Sequence, residues 1–77
     1  MKAKKFYVTY KWMLIGGYYS GPYAIECPSY EDMRDCACDI YSICGIHYVN
    51  LNQCGRLPKG TIIISWNDYK NDKYLDM

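Results

Sequence analysis

Carboxylates crowd one short segment of the chain, and their spacing brings them together only if that segment is helical. They are Glu31, Asp32, Asp35 and Asp39. Side chains at such spacings share one side of an α-helix, so the four residues would form an acidic stripe. A stripe of this kind steers a protein toward a basic partner surface through charge complementarity. The other interpretation is an ordinary solvated helix face.

Tyrosine is the second chemical signal of the sequence. The chain contains ten Tyr against one Phe and two Trp among 77 residues. A Tyr ring buries apolar area while its hydroxyl seeks a hydrogen-bond partner, so Tyr is favoured on surfaces that bind other molecules. The predicted partner-binding residues beside the acidic stripe are Tyr7, Lys11, Tyr18 and Tyr19. The alternative is that such rings complete a small core.

Nucleic-acid binding is a further function that the same residue types leave open. Bases stack on aromatic rings displayed by a sheet, and lysines follow the phosphate backbone of a single strand. The lysines suited to this role are Lys2, Lys4, Lys5 and Lys11. The formal net charge is only +1, which argues against a duplex-DNA binder held by phosphate attraction. We therefore place a protein partner with a basic surface ahead of nucleic acid.

The five cysteines and the single histidine do not match a motif for catalysis or metal binding. An odd number of cysteines argues against a disulfide framework, so reduced thiols that partly fill the core are expected. A zinc site would need Cys38, Cys44, His47 and Cys54, without the usual C-x-x-C spacing. No nucleophile has an argued place beside His47. We expect a non-enzymatic protein with neither metal nor cofactor.

Length and hydropathy bound the organisation of the chain. Seventy-seven residues predict a single small domain over 1–77, in which the polar segment 68–77 is a candidate for a flexible tail, a helical turn or a docked segment. No stretch approaches the about 20 apolar residues of a membrane-spanning helix. The basic start of the chain is followed by a segment too polar for the apolar region of a signal peptide. We expect a cytoplasmic protein that does not engage a membrane.

Two hydropathy patterns predict the elements that position these residues. Alternating apolar positions predict strands, and an apolar repeat after Ser29, a good N-cap, predicts a helix that ends at Gly45. The predicted strands are Lys5–Ile15, Tyr23–Cys27, Ile46–Leu51 and Thr61–Trp66, with a loop over 16–22. The predicted core face of the helix consists of Tyr30, Met33, Cys36, Ala37, Ile40, Tyr41 and Cys44.

This order predicts an α+β fold, in which one helix packs on one face of a four-stranded antiparallel sheet in the order ββαββ. One helix covers only one face of such a sheet. The other face must therefore be solvated, covered by the C-terminal segment or covered by a partner. A homodimer joined through this free face, or through an edge strand such as Thr61–Trp66, is compatible with either binding function.

In size, Tyr content and element order, with its acidic residues Glu31, Asp32, Asp35 and Asp39, the chain resembles small phage-encoded accessory proteins. Some anti-CRISPR proteins in that group combine a small antiparallel sheet with one helix. The resemblance implies a stoichiometric inhibitor that blocks a site on a bacterial nuclease or nucleic-acid-binding complex. It covers the whole chain, rests on no motif and transfers no functional residue.

Overall fold

The computed structural model describes residues 5–53 and 55–71, and it has the predicted α+β architecture. The elements in chain order are β1 (Phe6–Met13), β2 (Tyr19–Cys27), α1 (Tyr30–Tyr41), β3 (Ile46–Asn52), β4 (Ile62–Ile64) and α2 (Trp66–Lys70). The four strands form one sheet and α1 is its main helix, which confirms the predicted class. The short helix α2 extends the predicted ββαββ order.

The sheet is mixed, so the prediction of a fully antiparallel sheet was wrong. Its strand order is β3-β1-β2-β4, with β1 antiparallel to both of its neighbours and β4 parallel to β2. The turn-forming residues after β3 therefore do not close a hairpin. They belong to a connection, described at residue 53 and over 55–61, that carries the chain from one edge of the sheet to the other, as parallel pairing requires.

The core lies between α1 and one face of the sheet, here called the helix face. Val8 and Tyr10 of β1 point to this face and are buried, as the alternating pattern predicts. They pack in one cluster with Met33, Cys36 and Ile40, which recur on one side of α1. Burying a side chain of this size contributes about 1.5–3 kcal/mol, so these few residues stabilise the domain.

Helix α1 begins where the sequence predicts and ends earlier. The Ser29 Oγ accepts a hydrogen bond of 3.1 Å from the Asp32 N–H and donates one of 2.9 Å to the Asp32 carboxylate. This reciprocal cap satisfies an otherwise unpaired helical N–H. The helix ends at Tyr41, because Ser42 Oγ donates to the Asp39 carbonyl and the backbone then turns.

Three residues of the predicted core face of α1 are exposed: Tyr30, at the first helical position, is 44% exposed, and the early end of the helix accounts for the other two. Tyr41 and Cys44 are exposed, since they lie at and beyond the last helical turn. Gly45 adopts φ +93°, a conformation that glycine tolerates best, and its carbonyl accepts a 2.8 Å hydrogen bond from the Met13 N–H. Gly45 thus directs the chain into β3 rather than capping the helix itself.

Two β-bulges interrupt the sheet at the same level of β1. The β1–β2 register shifts between Tyr10 and Trp12, and the extra residue of β2 falls at the cis Gly21–Pro22 pair. The β1–β3 register shifts between Thr9 and Lys11, where Tyr48 has φ +60°. Gly21–Pro22 therefore lies inside β2 rather than in the predicted loop. Bulges increase local twist and redirect side chains, here on both sides of β1.

The segment after β4 is helical. Trp66, predicted to end the fourth strand, begins α2 instead, and Ser65 caps this helix by accepting a 3.1 Å hydrogen bond from the Asp68 N–H. Tyr69 of α2 is buried in the core cluster. Of the predicted C-terminal tail 68–77, the part up to residue 71 thus forms a docked helix and the turn after it. Residues 72–77 lie outside the described residues.

Candidate protein-binding surface

The β1–β2 hairpin ends in a patch of large exposed apolar side chains. This tip patch consists of Met13, Leu14, Ile15, Tyr18, Tyr19 and Tyr48. Ile15 is fully exposed, Tyr18 is 73% exposed and Tyr48 is 60% exposed. Isolated exposed hydrophobic residues are normal on a soluble protein, whereas a contiguous group marks a surface that binds something.

A short closed turn holds the tip patch in place. The Leu14 N–H donates a 2.6 Å hydrogen bond to the Tyr18 carbonyl, and the Gly17 N–H donates one of 3.2 Å to the Leu14 carbonyl. Gly16 and Gly17 both have positive φ, which allows the chain to reverse within these few residues. Ile15 and Tyr18 are therefore presented at the extreme end of the hairpin by a hydrogen-bonded turn.

Aromatic contacts connect the predicted residues Lys11 and Tyr19 through Tyr48. The Tyr19 and Tyr48 rings meet edge to face with centroids 5.2 Å apart, and the His47 ring lies 5.9 Å from that of Tyr19. The Lys11 Nζ sits 5.4 Å from the centroid of the Tyr48 ring, which is cation–π geometry. The predicted residues Lys11 and Tyr19 thus lie on one continuous surface with Tyr48, and Tyr18 precedes Tyr19 in the turn.

Tyr48 and His47 also belong to this surface, although they are not among the residues predicted from the sequence to bind a partner. Lys11 pairs with His47 across the sheet, and Tyr48 follows at the bulge. Only the β1–β3 register places these side chains beside Lys11 and Tyr19. A signal was present, because Tyr48 belongs to a predicted strand, but the pairing of that strand could not be derived from its own residues.

The tip patch carries little charge at neutral pH. A hydrogen bond with the Tyr48 side chain, and to a smaller extent desolvation, raises the pKa of Tyr19 above its ordinary value. The Tyr19 hydroxyl therefore keeps its proton, and Lys11 supplies the positive charge at the margin. A surface of this composition, aromatic and aliphatic with one cation at its edge, matches the anchors of protein interfaces.

Tyr7 does not belong to the binding surface, which corrects the prediction for this residue. Its side chain is 4% exposed, and its hydroxyl donates a 3.2 Å hydrogen bond to the Glu26 carboxylate. Burial, followed by the contact with Glu26, raises the pKa of Tyr7. Tyr7 lies on the sheet face opposite α1, here called the distal face, where Ala24 is also fully buried.

The β3–β4 connection lies against the distal face and forms a cleft with it. The cleft has a volume of about 580 Å³. Its sheet side includes Thr9, Lys11 and Asn50, and its other wall includes Arg56 and Pro58 of the connection. The chain's own crossover therefore partly covers the face that was expected to be free. The connection of an antiparallel β3–β4 hairpin would not cross this face.

Hydrogen bonds distinguish two of the four residues of the acidic stripe from the other two. Asp32 is half-buried and engaged with Ser29, and the Asp39 carboxylate accepts a 3.0 Å hydrogen bond from the Tyr69 hydroxyl. Glu31 and Asp35 are exposed on the outer side of α1. Asp39 is also exposed, so the stripe combines two residues that make structural contacts with two exposed residues for which no hydrogen bond is described, and the helical spacing alone does not distinguish them.

The exposed carboxylates and the tip patch lie on different sides of the domain. Glu31 and Asp35 face away from the sheet on the outside of α1, which covers the helix face. Lys11, Tyr19 and Tyr48 belong to the distal face and the hairpin end. One flat partner surface therefore contacts one of these regions and not both.

The described thiols are divided between the core and the surface. Cys27 and Cys36 are buried, whereas Cys38 and Cys44 are exposed. A hydrogen bond with Cys27 and burial raise the pKa of the Cys36 thiol far above its ordinary value. Within residues 5–53 and 55–71, no group of three His, Cys, Asp or Glu side chains could hold a metal ion. Cys54, required by the predicted zinc set, lies outside the described residues.

No protein-family model, curated protein or solved structure matches this chain. No helix among the described residues is both long enough and apolar enough to cross a membrane.

Proposed function

We propose that this chain is a non-enzymatic protein-binding module that acts by occupying a surface of its partner. The observation that carries the proposal is the tip patch, in which Ile15 and Tyr18 are exposed on the closed turn of the β1–β2 hairpin and Tyr19 packs edge to face against the exposed Tyr48 of β3. Rigid aromatic anchors supply large buried area at low entropic cost. An interface of about 800 Å² per partner is roughly a seventh of the 5512 Å² surface of the domain.

The resemblance to small phage-encoded proteins makes this proposal more specific. It implies that the chain acts as a stoichiometric inhibitor. The partner would be a bacterial nuclease or nucleic-acid-binding complex, blocked by steric occupation of a working surface. Basic surfaces are common on such partners, and the charges of Glu31 and Asp35 would raise the rate of encounter through long-range attraction without contacting the partner in the final complex. The tip patch would then provide the contacts that slow dissociation.

The experiment is a quantitative capture of partners from bacterial lysate by the tagged protein, with and without nuclease treatment. Ile15→Ser is compared with Ile63→Ser, a control because Ile63 is half-exposed on β4 and pairs with Ala24 of β2, away from the turn of the hairpin. We expect a nuclease-resistant protein whose recovery falls at least tenfold with Ile15→Ser and remains unchanged with Ile63→Ser. Equal recovery by both variants would remove the tip patch from the mechanism.

The cleft on the distal face favours a second candidate function, the binding of single-stranded nucleic acid. Lys11 and Arg56 line it together with Tyr48, so two cations lie beside an exposed ring on which a base can stack. Lys5 is exposed, while Lys2 and Lys4 lie outside the described residues.

This second function predicts binding to a labelled oligothymidylate that weakens with salt. Binding should weaken further when Lys11 and Arg56 are both replaced by Gln, and again when Lys2, Lys4 and Lys5 are neutralised. No binding at low salt would eliminate this candidate, as would binding that these replacements leave unchanged.

A further inference from the structure

Two buried thiols face each other between the sheet and its main helix. Cys27 is the last residue of β2 and lies two positions after Ile25, which pairs with Val8 on the helix face. Side chains two residues apart in a strand point to the same side, so Cys27 also points to the helix face. Cys36 lies on the buried side of α1, and both cysteines belong to the core cluster. A thiol from the strand and a thiol from the helix therefore meet in the core.

The two thiols contact each other. The side chains of Cys27 and Cys36 are hydrogen-bonded, and the Cys27 Sγ also donates a 3.4 Å hydrogen bond to the Ile25 carbonyl. The S–S bond of a disulfide is about 2 Å long, so the sulfur atoms need only close the gap of a hydrogen bond to form one.

Cys27 is the more accessible thiol of the pair. It is 5% exposed against 1% for Cys36, and it lines a depression of about 300 Å³. The exposed residues Lys5 and Glu26 belong to the same depression, which is open to solvent. A water molecule takes up about 30 Å³ in the liquid, so the depression admits a molecule of the size of hydrogen peroxide.

The contact between the thiols also decides which of them ionises first. The hydrogen bond from Cys36 lowers the pKa of Cys27, although burial and the carboxylates of Asp32 and Glu26 oppose this shift. The same hydrogen bond, together with burial, raises the pKa of Cys36. The thiolate is the nucleophilic form of cysteine, so Cys27 is the sulfur that attacks an oxidant and Cys36 is the sulfur that resolves the product.

We propose that Cys27 and Cys36 form a reversible disulfide when the protein encounters hydrogen peroxide, which reaches Cys27 through the surface depression. The disulfide would tie the end of β2 to the middle of α1. This modification site is separate from the tip patch and does not depend on the function proposed for it.

The reaction proceeds in two steps. The Cys27 thiolate attacks one oxygen of the peroxide, the O–O bond breaks, and the released hydroxide takes up the thiol proton to leave as water. The Cys36 sulfur then attacks the sulfur of the Cys27 sulfenic acid, which forms the S–S bond and breaks the S–O bond. The second hydroxide leaves as water with the Cys36 proton. The two thiols thus lose two electrons in total, and one peroxide is reduced to two waters.

The test treats the full-length protein with hydrogen peroxide, blocks the remaining thiols with N-ethylmaleimide and digests the protein with trypsin without reduction. Trypsin cleaves after Lys and Arg, so cleavage at Arg34 places Cys27 on fragment 12–34 and the other four cysteines on fragment 35–56. We expect a linked pair of these fragments whose mass spectrum joins Cys27 to Cys36, and which dithiothreitol separates. The intact protein should remain a monomer that is lighter by two hydrogen atoms. No linked pair, or a link from Cys27 to Cys38 or Cys44, would overturn the proposal.

Matched variants distinguish this pair from general oxidation of thiols. Cys36→Ala should lower the yield of linked fragments at least tenfold. Cys38→Ser, at an exposed cysteine of the same helix and the same fragment, should leave the yield unchanged. Because the exposed position tolerates replacement, loss of the link in Cys38→Ser would contradict the proposal even where Cys36→Ala fails to fold.

Oxidation of the protein unfolded in urea is a further control. Cys36 and Cys38 lie at similar distances from Cys27 along the chain, so the unfolded protein should link Cys27 to both in similar yield. The folded protein should favour Cys36 over Cys38 at least tenfold. The same ratio in the folded and the unfolded protein would show that the fold does not select the pair, and would overturn the proposal.

Discussion

The Tyr69 hydroxyl of α2 donates a 3.0 Å hydrogen bond to the Asp39 carboxylate of α1, a residue 30 positions earlier in the chain. Tyr69 is buried in the core cluster, and its ring lies 5.0 Å from that of Trp66. The contact joins the two helices across the top of the sheet. Asp39, selected from the sequence as a candidate for partner binding, therefore holds the C-terminal helix in place.

Tyr69→Phe should lower the free energy of unfolding by about 1 kcal/mol, because it removes this hydrogen bond and keeps the ring. Tyr69→Ala should cost about 3–5 kcal/mol, since it also leaves a cavity where the ring packs. Urea denaturation followed by tryptophan fluorescence measures both values. Tyr18→Phe is the control and should show no change, and equal effects of Phe and Ala at position 69 would contradict the described packing.

The buried tyrosines predict a loss of stability in alkaline solution. Burial is the largest cause that raises the pKa values of Tyr7 and Tyr69, from an ordinary value of 10.0. Above pH 10 these side chains lose protons in the unfolded chain before they do so in the folded one. The unfolded state then binds fewer protons, so stability falls as the pH rises.

The free energy of unfolding should therefore be insensitive to these two groups below about pH 9 and should decline above pH 10. Denaturation curves between pH 8 and pH 11 measure the slope. Tyr69→Phe should make the decline shallower. An identical slope in this variant would show that the Tyr69 hydroxyl titrates equally in both states, contrary to its buried position.

Tyr48 combines an exposed ring with φ +60°, a backbone conformation that disfavours most side chains. Tyr48→Gly should be more stable than Tyr48→Ala by about 1 kcal/mol, because glycine adopts this conformation without the steric cost of a Cβ. Both variants lack the ring, so both should weaken partner capture equally. Chemical denaturation and the capture experiment measure the two effects separately, and equal stability of the two variants would contradict the described backbone.

Asp35 and Asp39, equivalent in the helical pattern, should respond differently to charge reversal. Asp39→Lys should destabilise the fold by about 1 kcal/mol, since it removes the carboxylate that accepts the Tyr69 hydrogen bond. Asp35→Lys should change stability by less than about 0.5 kcal/mol, because its carboxylate faces solvent. Thermal denaturation compares them, and similar losses in both variants would show that the Tyr69 contact adds nothing.

The class of the fold could be predicted because its strongest signals are local. Alternation places Val8 and Tyr10 on one face of β1, and Ser29 marks the beginning of α1 through its own side chain. The repeat of Met33, Cys36 and Ile40 predicts the buried side of the helix in the same way. Each of these features depends on residues within a few positions of one another.

The topology could not be predicted, because it depends on contacts between distant segments. The turn residues after β3 are compatible with a hairpin and with a crossover, and only the pairing of β4 with β2 distinguishes the two. The burial of Tyr7 occurs on the same face that this crossover covers. The position of Tyr48 beside Tyr19 requires a bulge, whose register alternation alone does not specify.

Of the candidate site, the sequence predicted Lys11, Tyr18 and Tyr19 because tyrosines and lysines in or beside strand-like segments are a local signal. It missed His47 and Tyr48, which join the surface only through the register of a third strand. It also treated four carboxylates as alike, since helical spacing does not show which of them have partners in the fold.

The attachment of β4 and α2 has a consequence for how the domain opens. Strand β4 and helix α2 form a C-terminal arm. The arm pairs with the sheet over three residues of one parallel ladder, and Tyr69 anchors its helix. Local unfolding begins in elements with few interactions, so the arm opens at a lower free-energy cost than the β1–β2–α1–β3 unit. Amide hydrogens of β4 would exchange with solvent before those of β1. Each such opening would break the hydrogen bond to the Asp39 carboxylate and expose the Cys36 thiol to solvent. A thiol of the core would then be able to react without global unfolding of the domain.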